Sequence, residues 1–412
     1  MKLSIYRRFV RVATIALVAA LVCLCGPIHA SPRPDTEEPE KPEQEEKQAE
    51  GDKEERDEGP KRLQWSANVR FRLSASETDQ SDDIESDTSE ARLRLRGGLA
   101  WIISKPLDFK IRFAGSVSSE ENDYSFEVDT AAPLATGEAS FDELFLKWGP
   151  TQKLMIYFGR FQTQFQLKGV FPKSLDRKDS NNMRITWTDG LHLFHRGAKG
   201  WSQHLILQYN DEDHTSNILR SPLDFTDDDS RISYFINVRS DRRVGPIVQR
   251  GIDLSYFPSS LRKNGSLPGP LEDYWASVGR MSFEWHLSEE SPTSILVGTS
   301  IGYAPETPNE IAFGIGGFEE SGGWAGQFQV SLMNFKPGHS IGLIGGLAQA
   351  GWLTSPQYTN NEWLGEIRYR KIIRRGGLFE FRVRYREELE QLITALQKES
   401  RWDAFARFTR QF

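Results

Sequence analysis

Apolar and polar residues alternate along most of the chain from residue 63 onward. In the first such segment, residues 63–75 (LQWSANVRFRLSA), every odd position is apolar and every even position is polar. Successive side chains of a β-strand point to opposite faces, so this alternation predicts a strand with one apolar and one polar face. At thirteen residues it is longer than the usual strand of about five or six residues.

The same period recurs through the rest of the chain. Further alternating segments lie at 91–104, 107–117, 201–209, 231–240, 248–257, 294–303, 363–370 and 378–387. Strands of roughly nine to eleven residues with one apolar and one polar face are typical of a transmembrane β-barrel. A soluble β-sandwich is the alternative, although it would use shorter strands and a less charged second face.

The connections between the predicted strands are alternately long and short. The long ones lie at 76–90, 118–139, 162–183, 210–230 and 258–272, and the short ones at 104–106, 149–152, 196–200, 241–246 and 288–292. Outer-membrane barrels have this asymmetry, with short periplasmic turns and long outer loops. We therefore predict an all-β, antiparallel up-and-down transmembrane barrel over residues 63–412. Assigning 304–322 to an outer loop gives sixteen strands with both termini on the short-turn side, and eighteen is the next choice.

The first 62 residues differ from the rest in composition. Residues 1–30 carry four basic residues, an apolar core and a closing Ala30, a pattern that predicts a cleaved signal peptide. Both cysteines lie in this segment, so the exported chain would contain no disulfide and no cysteine metal site. Residues 31–62 form an acidic arm without large apolar side chains, and we expect it to be disordered in the periplasm. The arm is either a solvated spacer or a contact for a basic periplasmic partner.

Arginines occupy alternate positions in residues 91–104 (ARLRLRGGLAWIIS), where Arg92, Arg94 and Arg96 share one strand face. In a transmembrane barrel the apolar face meets lipid, so this polar face would line the lumen. Several other strands repeat the pattern, and closure of the barrel would make them one wall. The predicted pore-lining residues are Arg70, Arg72, Arg92, Arg94, Arg96, Lys110, Arg112, Arg368, Arg370, Arg382, Arg384, Arg386 and Arg407.

Few acidic residues are predicted to face this wall, namely Asp108, Glu366, Glu380 and Asp403. A basic wall raises the local concentration of anions, so the pattern predicts an anion-preferring pore. The alternative is that the acidic connections at 76–90 and 118–139 fold into the lumen and neutralise the arginines.

Two further segments resemble a known family. The last strand, RWDAFARFTRQF, ends in Phe412, and a terminal phenylalanine on an alternating strand resembles the C-terminal signature of bacterial outer-membrane proteins. The stretch KLMIYFGRFQTQFQLKGVFPKSLDRKDS (153–180) resembles the bacterial outer-membrane porin superfamily, with a weak similarity to phosphate-selective and related substrate-selective porins. In such porins the third long loop commonly narrows the lumen, and homotrimers are expected.

The resemblance implies that the loop at 162–183 is the constriction loop. By position it gives five candidate contacts with solutes, which are Arg160, Lys168, Lys173, Arg177 and Lys178.

These observations predict a porin in the Gram-negative outer membrane, a water-filled channel for passive uptake of small, mainly anionic solutes. A plugged, adhesive or structural barrel whose outer loops bind a partner is the alternative. His192 and His195 would lie on opposite strand faces, which argues against a shared metal or catalytic role, and the chain has no phosphate-binding or dinucleotide motif. We therefore predict no enzyme activity, no cofactor, no metal site and no nucleic-acid partner, with membrane lipid as the surrounding partner.

Overall fold

A computed structural model describes residues 62–80, 82, 85–119, 139–179, 186–210, 221–225, 230–288, 291–373 and 376–412. The predicted signal peptide, and the acidic arm apart from Arg62, lie outside these residues, as does most of the connection at 118–139.

The described residues form sixteen strands and two short 3₁₀ turns. The strands are β1 (Leu63–Asp79), β2 (Glu85–Ser104), β3 (Leu107–Ser118), β4 (Ala139–Trp148), β5 (Leu154–Phe161), β6 (Thr188–Arg196), β7 (Trp201–Tyr209), β8 (Ile232–Ser240), β9 (Ile247–Arg262), β10 (Leu271–His286), β11 (Ser294–Tyr303), β12 (Trp324–Lys336), β13 (His339–Ala348), β14 (Glu362–Ile373), β15 (Gly377–Glu388) and β16 (Ser400–Gln411). The 3₁₀ turns are Ala198–Gly200 and Glu310–Phe313. Among these elements, no helix has both the length and the apolar character needed to cross a membrane.

Each strand pairs with its neighbours in sequence in an antiparallel ladder, and β16 pairs with β1 to close a barrel. The closure continues to the last residue, because the Phe412 backbone N–H donates to the Ala67 carbonyl at 2.9 Å. The prediction of an antiparallel up-and-down barrel with sixteen strands is confirmed. Residues 304–323 form a connection that contains the second 3₁₀ turn, as the strand count required.

The first connection departs from the sequence prediction. Residues 76–90 were expected to form a long acidic loop, but β1 continues to Asp79 and β2 begins at Glu85. Polar pairs continue the ladder here, since the Ser76 and Thr88 hydroxyl oxygens lie 2.7 Å apart. Alternating serine, threonine and acidic residues can pair across strands as well as form a loop, so composition alone misassigned them. Glu90 therefore lies on β2, next to the arginines.

The two faces of the barrel differ as the alternation predicted. On β2, the side chains of Leu93 and Leu95 are 39% and 51% exposed on the outer face, whereas Arg94, between them, is 3% exposed. Large apolar side chains, including tryptophans, are exposed on many other strands. The sheet therefore turns its apolar face outward and its charged face inward.

Part of the interior is filled by two long connections. The described part of the β5–β6 connection, residues 162–179 and 186–187, contacts the inner faces of distant strands, and the Val170 N–H donates to Ser331 Oγ on β12 at 3.3 Å. The β13–β14 connection, residues 349–361, packs against it. Trp352 is fully buried in an apolar cluster with Leu175 and Tyr274, and its Nε1–H donates to the Leu175 carbonyl at 2.9 Å.

Gly302 on β11 permits this close packing. A Cβ atom at that position would overlap the six-membered ring of Trp352. The indole therefore lies directly on the backbone of the barrel wall.

We predict that Trp352→Ala lowers the free energy of unfolding by about 3–5 kcal/mol, because it leaves a cavity between the two inserted connections. Chemical denaturation of the protein in detergent micelles, followed by circular dichroism, measures the loss. Trp324→Ala is the matched control, since Trp324 is 52% exposed on the outer face. Equal losses in the two variants would contradict the packing described here.

Candidate functional site

A chamber of about 770 Å³ lies inside the barrel beside the β5–β6 connection. Its walls come from β1–β4 and β14–β16, and the connection covers it on the other side. Phe412, Gln411 and Leu378 line the end near the short turns. The basic side chains that line it are Arg70, Arg94, Arg96, Arg112, Lys178, Arg370 and Arg407, and the acidic ones, among the described residues, are Glu143 and Glu380.

The arginines of β1 and β2 face one another across the strand pair. Arg72 stands directly opposite Arg92, and Arg70 directly opposite Arg94. Like charges in such positions repel each other. Glu90 relieves the repulsion in the first pair, because its carboxylate binds Arg72 Nη2 at 2.8 Å and also forms an ion pair with Arg92.

Two further carboxylates, Asp142 and Glu143, lie on β4. Asp142 is fully buried and accepts hydrogen bonds from Arg112 at 2.8 and 3.0 Å, and it lies 2.8 Å from Arg96 Nη2. Glu143 binds Lys110 at 2.7 Å and Arg112 at 2.9 Å. Asp142 and Glu143 are adjacent in sequence, yet both contact arginines of the inner wall. The β3–β4 ladder shifts its register between Arg112 and Phe113, so strict alternation fails at this bulge.

The strands at the other side of the closure carry their own carboxylates. Glu366 binds Arg368 at 2.6 Å, and Glu380 accepts from Arg407 Nε at 2.9 Å. The remaining ion pairs between described residues of these strands are Arg382 and Arg384 with Asp403, Arg386 with Glu362, and Arg368 and Arg370 with Glu380 at 3.6 and 4.0 Å. The predicted wall is thus a network of paired charges.

The expectation of few inward acidic residues was therefore wrong. Besides Asp108, Glu366, Glu380 and Asp403, the described residues of the wall include Glu90, Asp142, Glu143 and Glu362. Glu90 was assigned to a loop, and Asp142 and Glu143 sit at the bulge. Asp108 itself pairs with Lys147 at 2.9 Å, where both side chains are about one-third exposed.

The predicted contacts of the constriction loop occupy different places. Lys173 is buried against Glu366, with Nζ 3.0 Å from the carboxylate, so it anchors the loop to β14. Arg177 is also buried and donates to Thr163 Oγ1 at 3.0 Å, which joins two parts of the same connection. Lys168 Nζ donates to the Val248 carbonyl at 2.8 Å, at the start of β9. These three residues hold the connection in place and do not line the chamber.

Arg160, also predicted as a solute contact at the constriction, lies on β5 near the end of the strand. Its guanidinium donates to both oxygens of Asp189 at 2.8 and 2.9 Å and lies 4.2 Å from the ring centre of Trp187. It is not among the chamber-lining residues.

Of the five predicted loop contacts, Lys178 is the one that lines the chamber in the described part of the chain. Its ammonium donates to the Pro172 carbonyl. Burial, followed by the nearby guanidiniums of Arg368 and Arg407, lowers the pKa of Lys178 well below its ordinary value. A negatively charged neighbour in the chamber would stabilise its protonated form.

Three glutamines of the loop also line the chamber and were not predicted. Gln162, Gln164 and Gln166 alternate with Thr163 and Phe165 in the extended start of the connection. Gln162 accepts a hydrogen bond from Arg112 Nη2 at 2.5 Å. The alternation QTQFQ, which places three amides on one face of an extended chain, was the signal that could have identified them.

His192 contacts His204 rather than His195. The ring nitrogens Nε2 of His192 and Nδ1 of His204 lie 2.9 Å apart, and the rings stack with centroids 5.2 Å apart. Both rings are buried beside Phe165 and Tyr157, whereas His195 is exposed. The pair lies on β6 and β7, outside the chamber.

Comparison with solved structures supports this architecture, whereas sequence comparisons find no relative. The sequence matches no protein-family model, and a search of curated proteins also gives no match. Among solved structures, Pseudomonas putida OprB superposes with a TM-score of 0.57 at 7% identity, over 84% of this chain and 94% of that one. Pseudomonas aeruginosa OccK8 (OprE) superposes with a TM-score of 0.50 at 11% identity, over 84% and 98%.

The chain has the porin fold. At these low identities the likeness concerns the fold alone. The chamber, its charges and the anchoring of the inserted loop are described from this chain's own residues. In this porin fold, the closure strands β1 and β16 supply part of the chamber wall.

We predict that Asp142→Asn lowers the free energy of unfolding by about 3–5 kcal/mol, because it leaves two mostly buried guanidiniums, those of Arg96 and Arg112, without their shared buried carboxylate. The matched control is Asp108→Asn, on the adjacent strand, where the partly exposed pair with Lys147 contributes at most about 1 kcal/mol. Denaturation of both variants in detergent micelles, followed by circular dichroism, measures the difference. Similar losses would show that the arginines of this wall do not depend on the buried carboxylate.

Proposed function

We propose that this protein is a channel of the Gram-negative outer membrane through which small solutes diffuse, with a preference for anions. The porin fold and the apolar outer face support the membrane setting, since lipid-facing side chains must be apolar. The predicted signal peptide of residues 1–30 supplies the route of export. Homotrimer formation, and contact of the acidic arm with a periplasmic partner, remain part of the proposal.

The observation that carries the anion preference is the lining of the chamber. Seven basic and two acidic side chains line it among the described residues. Most of these arginines also bind carboxylates behind them, so the field in the chamber is weaker than the count of arginines suggests. The excess of positive charge nevertheless concentrates anions in a confined space with low-dielectric walls.

The packing of the inserted connections directs solutes toward this wall. Apolar residues of β9–β14 and of the two connections form a packed cluster that includes Phe257, Tyr274 and Trp352. In this proposal solutes pass on the opposite side, through the chamber along β1–β4 and β14–β16. The same cluster is the observation that favours the second candidate, a plugged or adhesive barrel.

We expect the purified protein to open single channels in a planar bilayer, with a chloride-to-potassium permeability ratio above 1 in a potassium chloride gradient. Replacing Arg70 and Arg94 together with glutamate should bring the ratio down to about 1 or below, because both side chains line the chamber. The reversal potential measures the ratio.

Lys199→Glu with Arg242→Glu is the matched control. It changes the net charge equally, but both side chains are exposed on short turns, so the ratio should stay close to that of the unmodified protein. A potassium-preferring channel would contradict the anion preference. Absence of conductance in correctly folded protein would favour the plugged or adhesive barrel.

A further inference from the structure

Successive pairs of residues on β1 and β2 differ in how their charges are balanced. Arg72 and Arg92 share Glu90, and Arg96, two inward-facing pairs further on, binds Asp142. Arg70 and Arg94 stand between these two levels, directly opposite each other. Neither forms an ion pair with a carboxylate among the described residues.

Arg94 is the buried arginine whose charge is least balanced among the described residues of these pairs. Its side chain is 3% exposed, yet within the described chain it donates no hydrogen bond, and its buried Nε and Nη1 atoms have no acceptor. Burial of an unpaired guanidinium is strongly unfavourable, so natural proteins supply such a group with an anion or another acceptor. Arg94 lines the chamber, which makes a solute the available source of that acceptor.

Three other side chains offer hydrogen-bond donors beside Arg94 or in the same chamber. Ser116 on β3 stands directly opposite Arg94 and is 2% exposed, and its Oγ also has no hydrogen-bond partner. Arg70 donates through Nε to Thr409 Oγ1 at 3.2 Å. Lys178 lines the same chamber from the inserted loop, without a carboxylate among the described residues.

We propose that Arg94, with Arg70, Ser116 and Lys178, forms a binding site for a small, multiply charged oxyanion. The proposal rests on the proposed function, because the anion reaches the site through the channel.

The chemistry of the four groups selects the ligand class. Two guanidiniums and an ammonium donate several hydrogen bonds in different directions, and each bond to a charged oxygen is stronger than a neutral one. An oxyanion with charge spread over several oxygens can accept them together, whereas chloride offers one singly charged atom to all of the donors. The chamber is large enough for the charged group to be carried by an organic body.

Isothermal titration calorimetry of the purified protein in detergent micelles, with inorganic sulfate and inorganic phosphate as probes and acetate as the singly charged comparison, tests the site. We expect saturable binding of sulfate and phosphate, with acetate at least about tenfold weaker. Arg94→Gln should weaken sulfate binding by about tenfold or more, because it removes the central charged donor.

Arg92→Gln is the matched control, since Arg92 lies one pair away on the same strand and is balanced by Glu90. It should leave the sulfate affinity within about twofold. If Arg94→Gln fails to fold, two other variants test the site. Ser116→Ala should lower the sulfate affinity by a few-fold. Arg94→Lys, which keeps a charged donor, should retain part of the sulfate affinity of the unmodified protein. Equal sulfate affinity in Arg94→Gln and the unmodified protein, or no saturable binding, would overturn the site.

Conductance measurements distinguish failure of the oxyanion site from failure of the proposed channel function. A chloride-preferring channel without sulfate binding would reject the site and leave the channel intact. Sulfate binding without conductance would support the site in a barrel that does not transport ions.

Discussion

Charge pairing inside the barrel is the constraint on which the rest of the structure depends. The alternation that turns leucines toward lipid also turns a dense set of arginines inward, where repulsion between facing guanidiniums would oppose closure of the sheet. Carboxylates on the strands themselves solve this problem. Glu90, Asp142 and Asp403 each bind two arginines, and Glu380 binds three. Because these ion pairs join neighbouring strands, they also help to fix the register.

The inserted β5–β6 connection depends on the same principle. Lys173 reaches Glu366 on β14, and Asp176 binds Arg280 on β10 at 3.0 Å. These two buried ion pairs anchor the connection to different strands of the barrel. Apolar packing of Trp352 and Leu175 then fills the space on that side. The position of the chamber follows, because it occupies the part of the lumen that the anchored connection leaves open.

The strand count and the direction of each face could be predicted from the sequence, because both follow from a period of two and from the lengths of the connections. The positions of the side chains that line the chamber could not be predicted from the sequence. The bulge at Asp142 places two successive carboxylates against the inner wall, and no local pattern marks it. The inward packing of residues 349–361 and the pairing of Lys173 with Glu366 join residues far apart in sequence. Their positions depend on the closed barrel rather than on neighbouring residues.

Because the carboxylates that stabilise the barrel also cancel most of its inner charge, the number of arginines is a poor measure of the field that a solute meets. What matters is where pairing is incomplete. A guanidinium held by a buried carboxylate contributes a dipole whose field falls off quickly, whereas an unpaired one contributes a full charge. Arg94 stands opposite another arginine, faces a chamber and has no carboxylate among the described residues. The field in the chamber is therefore stronger at this position than at the paired arginines on either side.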